Sequence, residues 1–113
     1  MPTTPAAEQI APHQICVDLI RRHDEDLFLA LRYALPEDRP RLAALFALQI
    51  ELRRIPHLVS EAPLGEIRLQ WWREALDEIA AGARPRAHPV VEALSASGAM
   101  TQEARELADR MID

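Results

Sequence analysis

Between residues 41 and 58, apolar side chains return every three or four positions, at Leu42, Leu45, Phe46, Leu48, Leu52 and Ile55. That spacing is the period of one face of an α-helix, and it persists for about five turns, too long for a strand. Nothing elsewhere competes with this signal. The chain has only three glycines and almost no run of β-branched residues, and Ala, Leu, Arg and Glu, its dominant types, are all strong helix formers. An all-α protein of five or six helices is expected.

Local punctuation places the other elements. Residues 1–11, with two prolines and small polar side chains, read as a flexible lead-in, and 12–113 as the N-terminal part of a helical domain. A first helix is expected over 13–22 with Ile15, Leu19 and Ile20 on one side. Asp24 is placed to cap a second through Leu27, Phe28, Leu31 and Leu35, unless the two form one helix broken near His23. Pro36 to Pro40 lead into the long helix, and Pro56 should kink or end it. A further helix is expected over 64–81, with Gly82 at its C-terminal end. A short one follows from Pro89 until Ser97 and Gly98 break it, and a last one begins after Thr101 as cap. So many short helices on 113 residues bury a thin core, and the chain stops at Asp113 on an amphipathic helix. It therefore reads as the first part of something larger.

Composition removes several classes of function. A net charge of −5 argues against a nucleic-acid-binding face. The N-terminus lacks the basic and apolar regions of a secretory signal, and no apolar run approaches a membrane span. One cysteine, Cys16, between Ile15 and Val17, suits a reducing compartment and reads as a small core residue. The four histidines are scattered without ligand spacing, and no phosphate loop, His-Glu-x-x-His or nucleophile elbow occurs.

Two constellations remain. Both tryptophans, Trp71 and Trp72, lie on the helix over 64–81 and read as core anchors. At about 100° per residue, Leu64, Arg68, Trp71, Trp72, Ala75 and Ile79 share one sector, so Arg68 stands on the apolar stripe. Either its methylenes run along the core to a carboxylate or solvent at the rim, or it forms a pocket wall. On the long helix, Gln49, Arg53 and His57 recur at i, i+4 and i+8. This strip either faces the same interior as Arg68, where two arginines and a histidine would favour an anionic ligand, or marks where the helix meets solvent.

Three blocks then carry a resemblance: Arg39-x-x-Leu42-x-Ala44-Leu45-Phe46-Ala47-Leu48; Ile-Arg-Leu-Gln-Trp-Trp-Arg-Glu-Ala-Leu over 67–76; and Gly82 with His88-Pro89-Val90. In order and spacing they resemble the squalene and phytoene synthases, over most of the chain from Cys16 but only the N-terminal part of that family's usual length. The resemblance implies a partial isoprenoid-synthase-like helical bundle. It also implies a first aspartate-rich motif whose carboxylates hold magnesium against a prenyl diphosphate. Aligned from Phe46, those aspartates fall at Arg53, Arg54 and His57, so the charge is reversed and magnesium is not expected. Glu51-Leu52-x-x-Ile55 followed by residues 64–73 is similar to a non-catalytic branch, the mitochondrial complex I assembly factor 6 group and its bacterial relatives.

The resemblance thus implies a pseudoenzyme acting as an assembly or interaction factor, in the cytoplasm or peripheral to the inner membrane. A protein partner or a second copy would complete its core, and an isoprenoid or lipid-like ligand is the small molecule that suits it. No cofactor is expected. The alternatives are a truncated prenyl-diphosphate-condensing transferase, which alone would need magnesium, and a small helical dimerisation module.

Overall fold

A computed structural model describes residues 11–112, so the expected lead-in lies, apart from Ala11, outside the described residues. These form six helices and no strand: α1 (Pro12–His23), α2 (Glu25–Tyr33), α3 (Arg39–Leu58), α4 (Ala62–Ala80), α5 (Pro89–Ser97) and α6 (Gln102–Ile112). The all-α class holds. So does the break at Asp24, whose carboxylate accepts the Leu27 N–H at 3.0 Å and separates α1 from α2. Thr101 caps α6 in the same way, accepting from the Ala104 N–H at 3.1 Å.

Prolines and glycines act as the start and stop signals. Pro12, Pro40, Pro63 and Pro89 occupy the first or second positions of α1, α3, α4 and α5, where a missing N–H costs nothing. Because Pro40 fits inside the first turn, α3 begins at Arg39, slightly before the expected start. Pro56 stands in its last turn, and the helix ends two residues later at Leu58. Gly82 and Gly98 follow α4 and α5 with φ of +82° and +71°, left-handed values that glycine adopts without strain. Arg39 does further work, donating to the carbonyls of Arg32 and Ala34 at 3.1 Å each and so closing the C-terminal end of α2.

The long helix is the hub, since α3 packs against each of the other five, most closely against α1 and α5. Its innermost residues include Ala43, Ala44 and Ala47, all fully buried, and small side chains let neighbouring helices approach. Cys16 and Ile20 of α1 and Val91 and Leu94 of α5, also fully buried, belong to the same core. Helix α4 pairs with α6 beside this trio.

On α4 the buried sector differs from the expected one. Trp72 and Ala75 are buried as expected, but Gly65, Leu69 and Leu76 share the inward side with them, while Leu64 and Arg68 are exposed. At the end of α3 the two helices touch at ordinary van der Waals distance: a Cβ on Gly65 would lie 3.5 Å from a Val59 methyl and 3.9 Å from an Ile55 methyl. Helix α4 packs with the side that carries Gly65, Leu69, Trp72 and Leu76, and Arg68 lies off that side in solvent. The arginine that is buried is another, Arg105 of α6, which is 7% exposed. It donates to Asp77 at 2.7 Å, to Asp109 at 2.6 Å and to the Arg73 carbonyl at 3.4 Å, tying α6 to α4. Burial pulls its pKa down, but the two carboxylates outweigh that and hold it above the ordinary value.

Three substitutions separate these roles in thermal melts. Trp72→Ala should cost about 3–5 kcal/mol, as a large buried aromatic does. Arg105→Ala should cost only about 1–2 kcal/mol, because Asp77 and Asp109 are largely solvated and are not stranded by its loss. Arg68→Ala should stay within about 0.5 kcal/mol, the range of an exposed position.

Candidate functional site

Trp71 and Trp72 are consecutive on a helix, so about 100° separates their directions and both cannot enter the core. Trp72 goes inward, 5% exposed, and Trp71 remains half-buried at its edge. Their rings meet edge to face, 5.0 Å apart at 87°. A third ring joins them: His88 lies 5.1 Å from Trp72 and 5.5 Å from Trp71.

His88 is fixed from its own side. It precedes Pro89 as the N-cap of α5, and its Nδ1 accepts the Val90 N–H at 3.1 Å. Accepting there leaves the ring proton of the neutral form on Nε2. Nε2 faces the Glu51 carboxylate at 3.9 Å, too far for a direct hydrogen bond. Burial lowers the His88 pKa, against the opposing pull of Glu51 and Glu92. Glu51 in turn has the Arg54 guanidinium at 3.9 Å.

On the outer side, Arg86 lies 5.3 Å from the Trp71 ring. It grips Glu78 through two hydrogen bonds of 2.9 and 2.7 Å and reaches Glu74 at 3.4 Å. Its hydrogen bonds hold the Glu78 carboxyl below the usual carboxylate range, and Glu78 raises the Arg86 pKa in return. Between these groups an open cleft of about 310 Å³ is lined by Glu51, Ile67, Arg68, Trp71, Trp72 and His88. It has an aromatic wall, one carboxylate at its floor and one guanidinium at its rim.

The sequence-predicted residues fall in two places. Arg68, Trp71 and Trp72 line the cleft, with Arg68 as an exposed wall that forms no salt bridge among the described residues. Gln49, Arg53 and His57 do not line it. Gln49 is half-buried, His57 is exposed, and Arg53 reaches the cap of α2, bonding Asp24 at 2.9 Å. The Leu27 N–H and Arg53 together hold the Asp24 carboxyl below its ordinary range. Glu51 and His88 were not singled out by sequence reasoning as site residues. The clue was a histidine directly before a helix-starting proline, a capping position normally taken by Asp, Asn, Ser or Thr.

Magnesium does not fit the positions that the resemblance assigns to it. Arg53, Arg54 and His57 offer guanidiniums and an imidazole, no oxygen donor, and both arginines are engaged with carboxylates. Among the described residues, no group of three or more His, Cys, Asp or Glu is placed to hold a metal ion. Cys16 is fully buried, and burial, assisted by the Glu51 charge, pushes its thiol up to about 11, so it is no nucleophile at neutral pH.

Comparison with known proteins gives a consistent pattern. A model of the squalene/phytoene synthase family matches residues 20–113. The chain is similar to NADH dehydrogenase (ubiquinone) complex I, assembly factor 6, of Bos taurus, 31% identical over 77 residues, 68% of this chain and 23% of that protein. The Rattus norvegicus protein of the same name is 31% identical over 67 residues, covering 59% of this chain and 20% of its own length. The Homo sapiens protein is 31% identical over 64 residues, 57% of this chain and 19% of its own. The chain thus spans about a fifth to a quarter of these relatives. No solved structure matches.

A pH dependence follows from the capping geometry. The folded pKa of His88 lies below the ordinary 6.5, so the unfolded chain binds the proton more readily. The stability that neutral His88 contributes is complete above about pH 6.5 and is lost as pH falls from there through the folded value. His88→Asn keeps a capping acceptor without a titrating ring. Urea unfolding at about pH 7.5 and about pH 5.5 should show a smaller acid loss for this variant than for the wild type.

Proposed function

The chain belongs to the squalene/phytoene synthase family, and we propose that within it the chain is non-catalytic and works by contact, as an assembly or interaction factor. One observation supports this reading: Arg53 and Arg54, which with His57 fall where the resemblance puts the family's first acidic motif, are paired with Asp24 and Glu51. A prenyl diphosphate loses its leaving group only when that charge is neutralised by metal, and these side chains recruit none. The relatives named as complex I assembly factors support the same direction.

On this reading the protein needs no cofactor, and the tryptophan cleft with Arg68 belongs to recognition. Its partner is another protein, met in the cytoplasm or at the inner-membrane surface. No helix among the described residues is long and apolar enough to cross a membrane. The alternative, a piece of a magnesium-dependent prenyl-diphosphate-condensing transferase, requires acidic clusters outside this chain.

Incubating the purified chain with magnesium and farnesyl or geranylgeranyl diphosphate should release no diphosphate above the protein-free background. Magnesium-dependent turnover would sink the proposal. In cells, deleting the gene should lower the amount of assembled respiratory NADH dehydrogenase, and unchanged assembly would count equally against it.

A further inference from the structure

Only the neutral form of His88 can hold the first turn of α5. Its Nδ1 accepts the Val90 N–H at 3.1 Å, and a protonated ring has no lone pair left to accept with. The imidazolium would also put a cation at a helix N-terminus, where the aligned peptide dipoles already present positive charge. A proton on His88 therefore removes the cap and repels the helix end at once.

A better place for that proton is close by. On the other edge of the ring, Nε2 stands 3.9 Å from the Glu51 carboxylate of α3. The Arg54 guanidinium is also 3.9 Å from Glu51, so neither neighbour is within hydrogen-bonding distance of the acid.

The other groups around the ring come from every element packed on it. Glu92 faces it from the first turn of α5 and, like Glu51, favours the charged form. Helix α4 contributes the neutral rings of Trp71 and Trp72 and, on the same cleft, Arg68. In the preceding loop the Arg86 carbonyl accepts the His88 N–H at 2.8 Å, while the Arg86 guanidinium is bound to Glu78 and Glu74. From α1, which also packs on α5, Cys16 keeps its proton, and His13 borders the helix further on, beside Ala93 and Ala96. Burial opposes the charged form and wins at neutral pH, where the ring caps α5.

We propose that His88 is a proton-driven latch between α5 and α3: neutral, it caps α5 through Nδ1, and protonated, it releases Val90 and closes on Glu51 through Nε2. The closing move is about 1 Å, the difference between 3.9 Å and a charge-assisted hydrogen bond. Both tryptophans sense it, because the His88 ring is the third member of their cluster, 5.1 Å from Trp72 and 5.5 Å from Trp71. With Glu51 taken up by His88, the carboxylate is no longer open to the cleft that these residues line. Acid thus alters the wall and the floor of the cleft together.

The test follows the full chain from about pH 7.5 to about pH 5 by NMR and tryptophan fluorescence. The His88 ring should titrate below 6.5. Over the same range the Val90 amide should lose roughly fivefold or more of its protection from exchange, the effect of losing one cap. Tryptophan emission should change with it, while the helical circular dichroism stays level. His88→Asn, which caps without titrating, should abolish both changes, and Glu51→Gln, which removes the acceptor, should move them to lower pH. A Val90 amide equally protected at both ends of the range overturns the proposal. So does a fluorescence change that survives His88→Asn, which would assign it to another group such as His13. Loss of helix throughout the chain over the same range, or a midpoint indifferent to Glu51→Gln, overturns it as well.

Discussion

Everything in this fold depends on how closely two helices can approach α3. Ala43, Ala44 and Ala47 present almost no side chain, so α1 and α5 close on it and bury Cys16, Ile20, Val91 and Leu94 completely. Bulkier residues there would hold the helices apart and open the thin core that 113 residues can afford. The lone thiol owes its inertness to this packing. It is sealed in the closest part of the core, where ionisation is penalised.

The same hub determines what the outside offers. Where α3 ends, Ile55 and Val59 meet α4 beside Gly65, and the tryptophan helix buries the side that carries Leu69, Trp72, Ala75 and Leu76. Once Trp72 is inside, Trp71 can only lie at the edge. It is held there between the His88 ring and the Arg86 guanidinium. Arg68 and Ile67 lie off that buried side, exposed and lining the cleft.

Much of this was legible in the chain. Helical class, the Asp24 and Thr101 caps and the glycine stops follow from interactions within a few residues and appear where expected, while α3 and α4 each begin two residues early because Pro40 and Pro63 fit inside first turns. The cleft was legible only in part. Arg68, Trp71 and Trp72 could be selected by spacing, but Glu51 and His88 are 37 positions apart in sequence and no local pattern joins them. Arg105 shows the same limit. Its pairing with Asp109 is an ordinary i, i+4 arrangement, whereas the bond to Asp77 crosses between helices.

By itself, then, the sequence determined the helices, their ends and the family blocks, because backbone geometry, capping and helical periodicity act over one or two turns. Only the tertiary structure decided which apolar face of α4 is inside, which arginine is buried, and that Arg53 serves the α2 cap while Arg68 walls the cleft. The reason is physical: periodicity says that a face is apolar, but burial depends on whether a neighbour's surface is there to meet it. For Leu69 and Trp72 the rest of the bundle supplies that surface. For Leu64 and Ile67 the described residues supply none, and both are exposed.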